Sequence, residues 1–209
     1  MFIEIYHSAK FIIGVFSAAS FTAFFICKYY NIPFSNPKNN RYQFIEQCQK
    51  IASSSGTVLG QSIIVHALFK NMLMDTVWHG LSHTMTNLCM YSAIVELAYY
   101  AYHRVIHTKA YYKTIHASHH ENVEVYPLDT FYIDVVDAMF LVGSLSSPML
   151  FLRLNYLELF VMLWVYGTFA YMAHSTLFFS HHAIHHKLMF WNYCILNPMF
   201  DILCRTYRP

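Results

Sequence analysis

The chain has 209 residues, a formal net charge of +2, 56% hydrophobic residues and only 11% charged residues. Ordinary soluble domains carry about 25% charged residues, so the composition excludes a soluble globular protein and predicts a membrane protein. The small net charge, without a basic stripe, excludes nucleic acid as an expected partner. The five cysteines show no CxxC spacing, so we expect reduced packing residues rather than a disulfide framework.

Five apolar segments near the length of a membrane span predict an all-α integral membrane protein. The polar, proline-containing stretch Asn31–Lys50 predicts a linker after the first segment. The first segment lacks the features of a signal peptide, and if it lies in the membrane interface the count falls from five transmembrane helices to four. We expect N-terminal spans and linker over residues 1–83 and a catalytic membrane domain over residues 84–209. The predicted spans are Phe11–Cys27, Ser54–Met74, Thr84–Tyr102, Phe131–Leu150 and Leu154–Met172.

Three compact histidine clusters lie at the ends of these segments, with the sequences HRVIH, HASHH and HAIHH. In a helix, positions i, i+3 and i+4 share a face, so each cluster is predicted to direct two or three imidazoles at a common volume. Eight such imidazoles exceed the needs of one tetrahedral zinc, which favours two metal ions. Their numbers are His103, His107, His116, His119, His120, His182, His185 and His186.

Ligand type favours iron without deciding the metal, because zinc has no redox chemistry and copper sites usually add Cys or Met. The other histidines have simpler interpretations. His79 and His83 form an i, i+4 pair beside Trp78, and we expect them to be interfacial rather than a fourth ligand pair. His181 precedes a predicted ligand and has either role, whereas His7 and His66 are expected to be single polar residues.

The distribution of Lys and Arg predicts the orientation in the membrane, because cytosolic loops carry an excess of basic residues. The side that carries the histidines is therefore expected to be cytosolic. That side receives Lys28, Lys38, Arg41, Lys50, Arg104, Lys109, Lys113, Lys187, Arg205 and Arg208, while the other receives Lys10 and Arg153, with Lys70 near an end.

The order HRxxH, HxxHH and HxxHH, between Tyr91 and Pro209, resembles the fatty acid hydroxylase/sterol desaturase superfamily. These proteins are integral membrane di-iron oxygenases of the endoplasmic reticulum. The resemblance implies two iron ions, O2 as co-substrate, a sterol or fatty acyl substrate, and electrons from cytochrome b5 and its reductase. It also adds His174, an isolated histidine at the end of the last span, to the predicted ligands.

Four further residues match positions of the family and are predicted to support the ligands: Glu96, Tyr100, Asn192 and Asp201. Glu96 is expected to accept a ring N–H and so orient a ligand histidine. Cys194 and Arg205 replace two glycines of the family. We therefore expect the segments around the ligands to be reshaped.

A segment resembling His-Pro-x-Glu, which the family carries after the second box, is replaced by residues 131–134. Asp134 and Asp137, at the start of the fourth span, are interpreted as interfacial.

The predicted function is O2-dependent hydroxylation or desaturation of a lipid, because the ligand pattern does not separate the two outcomes. A hydrolase or a lipid-cleaving monooxygenase on the same metal shell is the alternative among enzymes. A metal or haem carrier and a non-catalytic relative are the alternatives outside that class. A carrier is disfavoured because the boxes lie at span ends and contain too many histidines, and the complete boxes disfavour a non-catalytic relative.

Overall fold

The computed structural model describes residues 2–175, 177 and 180–209. Helices dominate this part of the chain and the two strands have two residues each, which confirms the predicted all-α class. Short π and 3₁₀ turns between α3 and α4 carry the second histidine box. In chain order the elements are α1 (Phe2–Tyr29), α2 (Arg41–Leu73), β1 (Met74–Asp75), α3 (Leu81–Ile106), α4 (Val135–Ser146), β2 (Leu154–Asn155), α5 (Tyr156–Ala173), α6 (His181–Leu188) and α7 (Met199–Leu203).

The first helix is longer than the apolar segment that predicts it, because α1 begins at Phe2 rather than at Phe11. Its buried residues recur every three or four positions, the period of one helix face. The opposite face exposes large apolar side chains such as Phe21 and Phe25, as expected for a helix in contact with lipid. The buried residues are Ser8, Ile12, Val15, Ala19, Ala23 and Cys27.

The predicted linker is too long, because α2 already begins at Arg41. Asn40 caps this helix: its Oδ1 accepts a hydrogen bond from the Gln43 N–H at 3.0 Å, and the Gln43 Oε1 accepts one from the Asn40 N–H at 3.0 Å. This reciprocal capping box satisfies two N–H groups that a helix start leaves open. Residues 41–50 contain neither proline nor glycine, so their polarity alone does not interrupt the helix.

Among the described residues, three helices are long and apolar enough to cross a membrane: Phe2–Tyr29, Arg41–Lys70 and Tyr156–Ala173. The two other predicted spans correspond to α3, which is extended by the first histidine box, and to α4, which a 3₁₀ turn continues to Leu150. The apolar stretch Val135–Leu150 is shorter than the roughly 20 residues of a full span. The all-α membrane architecture is confirmed, whereas the count of four or five crossings stays a prediction.

Polar side chains join the starts of α3 and α5, at the end of these helices remote from the predicted ligand histidines. Asn155 caps α5, since its Oδ1 accepts a hydrogen bond from the Glu158 N–H at 2.9 Å. Glu158 in turn accepts hydrogen bonds from the Thr84 hydroxyl at 2.7 Å and from the Asn87 side-chain amide at 3.1 Å. The parallel pairing of β1 with β2 lies beside this contact. The network fixes the relative height of the two helices whose other ends carry histidines.

Helices α1 and α5 pack closely because small residues face each other. A Cβ atom built on Gly167 would lie 2.9 Å from the Cβ of Ala19, so the crossing requires glycine at this position. The hydroxyl groups of Ser20 and Tyr171 are hydrogen-bonded at 3.0 Å across the same interface. Small residues and side-chain hydrogen bonds are the usual basis of helix association in lipid. The N-terminal helices therefore pack directly on the part of the chain that carries the boxes.

Candidate metal centre

The segments that carry the predicted ligands meet at one end of the bundle. His103 lies in the last turn of α3, and His107 directly follows that helix. The second box lies in the turns that follow, His174 ends α5, and the third box lies in α6. Every predicted ligand is buried, with at most 8% of its surface exposed: His103, His107, His116, His119, His120, His174, His182, His185 and His186.

These histidines form two groups. Within each group, one ring nitrogen of every residue lies within 4.8 Å of the corresponding nitrogens of the others. Imidazole nitrogens gathered in this way are typical ligands of zinc, iron, copper and nickel. The structure therefore brings together every histidine that the sequence nominates as a ligand. Group A comprises His103, His107, His116, His120 and His185, and group B comprises His119, His174, His182 and His186.

Each HxxHH box contributes to both groups. In the second box the first and third histidines belong to group A, whereas His119 belongs to group B. In the third box the first and third histidines belong to group B, whereas His185 belongs to group A. Residues four apart share a helix face, while the adjacent residue points about 100° away. Each box therefore directs two imidazoles at a common volume, as predicted, and each HxxHH box places its remaining histidine in the other group.

Acceptors outside the groups fix the ring nitrogens. The Nδ1 of His103 lies 2.7 Å from the Tyr193 carbonyl oxygen, and the Nδ1 of His185 lies 2.6 Å from the Trp191 carbonyl oxygen. A carbonyl oxygen only accepts, so these Nδ1 atoms carry the hydrogen, and Nε2 of a neutral ring is then a bare acceptor. Nδ1 makes the same contact at 2.9 to 3.3 Å in His119, His174 and His186, with the carbonyls of Tyr132, Ala170 and Asn122.

The Nε2 atoms of group A approach one another as they would around a cation. Those of His103 and His116 are 3.0 Å apart, although both rings donate their Nδ1 hydrogen elsewhere, the second of them to Asp137. Two neutral rings of this kind have no hydrogen to place between the facing nitrogens. The Nε2 atoms of His107 and His185 are also 3.0 Å apart. Two nitrogens bound at right angles, about 2.1 Å from one metal, are about 3.0 Å apart, so group A fits a bound metal ion.

Group B shows a similar approach of ring nitrogens, with four histidines instead of five. The Nε2 atoms of His119 and His174 are 3.4 Å apart, and the Nε2 of His186 is buried without a hydrogen-bond partner among the described residues. Burial lowers the pKa of His119 to about 3 and that of His107, in group A, to about 4. Both rings are therefore neutral near pH 7, which is the form that binds metal. Four imidazoles leave open positions on a six-coordinate metal.

An apolar cavity leads from group B into the bundle. A small cavity of about 30 Å³ is bounded by His119, His174 and His182 of group B and by His116 of group A. A larger cavity of about 90 Å³ lies between α1, α2, α4 and α5 and is almost entirely apolar. A hydrocarbon chain that extends from the larger cavity into the smaller one would contact these histidines. The wall residues that the two cavities share are Thr130, Leu141, Ala170 and Ile195.

A family model described as "Fatty acid hydroxylase" matches residues 88–206, more than half of the chain. The chain belongs to the fatty acid hydroxylase family. This membership confirms the resemblance indicated by the histidine boxes.

One curated relative of this fatty acid hydroxylase family member is "Very-long-chain aldehyde decarbonylase GL1-7" of Oryza sativa subsp. japonica, with 22% identity over 166 residues. The alignment covers 68% of this chain and 26% of the relative, so the chain spans about a quarter of that protein's length. No solved structure matches the chain.

In this member of the fatty acid hydroxylase family, the Asp137 carboxylate contacts a ring of group A. It is 4% exposed, and its Oδ2 lies 2.6 Å from the Nδ1 of His116. Carboxylates in this position fix the tautomer of a metal-bound histidine and increase its basicity. The interfacial interpretation of Asp137 is therefore wrong. Asp134 accepts a hydrogen bond from the Ser118 hydroxyl at 2.7 Å, so the start of α4 holds the second box at two points.

Glu96 supports the site by a different contact from the predicted one. Its carboxylate accepts backbone N–H groups rather than a ring N–H, at 3.0 Å from each of Ile195, Leu196 and Asn197. It also accepts a hydrogen bond from the Tyr166 hydroxyl at 3.2 Å. These N–H groups belong to the loop after α6, whose carbonyls orient two rings of group A. The predicted contact between Glu96 and a histidine ring is wrong, because the loop lies between them.

Asp201 holds the same loop from the other side. It is completely buried and accepts hydrogen bonds from the N–H groups of Tyr193 and Cys194, each at 2.8 Å. The Thr206 hydroxyl donates to the same carboxylate at 2.8 Å. Because the Tyr193 carbonyl accepts the hydrogen bond from His103, Asp201 acts on group A through the backbone.

Asn192 and Tyr100 fasten the C-terminal segment. The Asn192 side chain donates to the Arg208 carbonyl at 2.8 Å and accepts from the Arg208 N–H at 2.7 Å. The Tyr100 hydroxyl accepts a hydrogen bond from Arg104 at 2.9 Å and is hydrogen-bonded to the Thr206 hydroxyl at 3.2 Å. These contacts tie the C-terminal segment to the loop and to α3, and a direct role of either residue at a metal stays a prediction.

The two replaced glycines differ in consequence. Arg205 has a φ of 58°, the left-handed conformation in which glycine avoids the steric cost of a side chain. Cys194 is not among the described residues with positive φ, and it lies fully buried beside Asp201. The replacement of glycine is therefore destabilising for the backbone at position 205. Neither replacement removes a histidine from group A or group B.

The remaining histidines lie apart from groups A and B. The ring of His79 is hydrogen-bonded to Asp75 at 2.8 Å and its centroid lies 5.0 Å from that of His83, so this pair is outside the centre. His181 is buried next to the third box but belongs to neither group. His66 is buried at a distance from the boxes, in contact with Ser8.

Proposed function

We propose that this member of the fatty acid hydroxylase family is a membrane enzyme that uses two iron ions and O2 to oxidise a hydrocarbon chain of a lipid. The supporting observation is that an apolar cavity opens on the buried histidines of group B. Apolar walls of this kind select hydrocarbon rather than polar substrates.

Both donor sets consist of histidine alone, which suits iron better than copper, and zinc lacks the redox states that O2 chemistry needs. When bound, the iron ions would pass electrons from an external donor to O2 and activate it to remove hydrogen from an unactivated carbon. The residues of the chain provide the surroundings. Asp137 and the loop carbonyls keep the histidines in the tautomer that presents Nε2, and the cavity wall excludes water from the reacting carbon.

The substrate is proposed to be a fatty acyl chain or a sterol, and the reaction hydroxylation or desaturation. The two described cavities are narrow, with volumes of about 90 Å³ and about 30 Å³, which favours an unbranched chain over fused rings. A second candidate reaction is loss of carbon from a very-long-chain aldehyde, supported by the name of the rice relative.

The cellular setting follows from the charge distribution and the family. We place the boxes on the cytosolic side of the endoplasmic reticulum membrane, in lipid biosynthesis, because basic residues predominate at the histidine end. Electrons are proposed to come from cytochrome b5 and its reductase, since the sequence contains no flavin, haem or nicotinamide motif.

The test combines metal content with product formation. The detergent-purified protein should contain two iron ions per chain, and a His119→Ala, His185→Ala double variant, altered in both groups, should lose them. A His79→Ala, His83→Ala variant is the matched control and should retain them. With cytochrome b5, its reductase and O2, mass spectrometry of fatty acids, sterols and long-chain aldehydes should reveal a product that the double variant does not form. Metal retained in the double variant would refute the proposal.

A further inference from the structure

A third cavity continues the apolar path toward the other end of the bundle. It has a volume of about 40 Å³ and its wall includes the ring of His66 in α2. The path thus begins at the histidines of group B and ends at a separate histidine. The residues that this cavity shares with the 90 Å³ cavity are Ile12, Ser62, Leu145 and Leu163.

His66 has one ring nitrogen to offer to a ligand. The residue is 4% exposed, and its Nδ1 is hydrogen-bonded to the Ser8 hydroxyl at 2.9 Å. Its Nε2 is buried and has no hydrogen-bond partner among the described residues. The ring of Phe11 stacks on it with centroids 5.0 Å apart, which fixes its plane. Buried polar atoms without a partner are rare in native proteins, so this nitrogen indicates a missing ligand group.

The neighbouring charges favour a neutral ligand. Lys70 lies one helical turn beyond His66 and forms a salt bridge with Glu4, so the nearby positive charge is already balanced. The serine hydroxyl can donate to Nδ1 or accept from it, and Nε2 is correspondingly a donor or an acceptor. A hydroxyl group has both capacities and carries no charge, and it is therefore the best match.

The helical rise of α2 gives the distance between His66 and the cavity beside group B. The Ser54 hydroxyl donates to the Ile133 carbonyl at 2.7 Å, and Ile133 lies in the wall of the cavity beside group B. His66 lies on the same helix, and the rise from Ser54 to it is about 18 Å. The site thus lies at the distance of a long extended hydrocarbon chain from the metal-binding histidines.

We propose that His66 and Ser8 bind the terminal hydroxyl group of a long, unbranched substrate whose opposite part lies at group B. This inference rests on the proposed oxidation of a lipid chain and adds a specific substrate class, a long-chain compound with a hydroxyl at its remote end. Both residues precede the region 88–206 that matches the family, so the N-terminal helices determine which chain is accepted.

The test compares binding of 1-octadecanol and octadecane, both radiolabelled, to the full-length metal-loaded protein in detergent. The wild-type protein should bind the alcohol about tenfold more tightly than the alkane, the effect of a buried hydrogen bond. His66→Phe and Ser8→Ala should reduce this preference, whereas Ser53→Ala, an exposed position on α2, should preserve it. Ser8→Ala decides the question if His66→Phe does not fold.

Equal binding of the two probes by the wild-type protein, or an undiminished preference in the folded variants, would overturn the inference. Metal content of each sample separates this result from the proposed function. Equal binding of the two probes by wild-type samples that keep both metals contradicts the hydroxyl site alone. A wild-type protein that binds no metal but still prefers the alcohol to the alkane contradicts the proposed oxidation alone.

Discussion

The Nδ1 of His116 and the Oδ2 of Asp137 lie 2.6 Å apart, which gives one ring of group A a carboxylate partner. The other described Nδ1 contacts of the two groups go to uncharged oxygens, which are carbonyl oxygens and, for His174, also the Thr130 hydroxyl. A carboxylate polarises the imidazole more strongly than a carbonyl does, so this ring should be the most basic donor of the centre.

Asp137→Asn should therefore lower the metal affinity of group A by about 10- to 100-fold, the usual effect of removing such a partner. Metal content after dialysis against a graded series of chelator concentrations measures the change. Asp134→Asn is the matched control, since Asp134 contacts Ser118 and no ring. Equal metal retention in the two variants would show that the Asp137 carboxylate does not act on the metal.

Glu96→Gln should destabilise the protein by about 1–3 kcal/mol, because a buried carboxylate that accepts three backbone N–H groups is replaced by an amide with a single acceptor oxygen. Thermal unfolding of the detergent-purified protein measures the effect. Glu124→Gln alters an exposed carboxylate paired with Lys38 and should change little. A melting temperature equal to that of the wild type would mean that the loop does not depend on Glu96.

Two glycine-to-alanine substitutions should have opposite effects. Gly167→Ala places a Cβ 2.9 Å from that of Ala19 and should destabilise the helix crossing by about 1–3 kcal/mol. Gly143→Ala meets no atom within 4 Å in α4 and should be neutral or stabilising by up to about 1 kcal/mol. Thermal unfolding of both variants tests this difference, and equal melting temperatures would contradict the close packing of α1 on α5.

The metal-free protein should lose stability as the pH falls below about 6.5. Burial holds the pKa of His119 near 3 and that of His107 near 4, so between these values and 6.5 the unfolded chain binds protons that the folded chain does not. Stability should be constant above this window and should decrease within it. Melting temperatures between about pH 7.5 and about pH 4.5 test the sign. A His107→Gln, His119→Gln variant should show a smaller decrease, and a melting temperature that rises on acidification would exclude this mechanism.

Much of the architecture could be predicted because it depends on local signals. Apolar runs mark the part of a helix that contacts lipid, and the ligand histidines occur in helical spacing. The same signals misplace the helix ends. α2 begins at Arg41 within a polar stretch, and α1 begins at Phe2, because helices continue wherever capping and propensity permit.

The partners of the ligands could not be predicted, since they come from tertiary packing. Asp137 reaches His116 only because α4 folds back against the second box. Glu96 binds N–H groups about a hundred positions later in the chain, and no local pattern marks that loop as its partner. Spacing likewise indicates which histidines share a face, but the arrangement of α5 and α6 decides which faces meet.

The division of each HxxHH box between groups A and B has a consequence for assembly. A metal ion that enters either group immobilises backbone segments that also carry ligands for the other, so the second ion should meet a partly ordered shell. Loading is then expected to be cooperative, with few molecules holding a single ion. Loss of either HxxHH box would remove ligands from both sites together, whereas loss of the first box, whose two histidines both belong to group A, would leave group B complete.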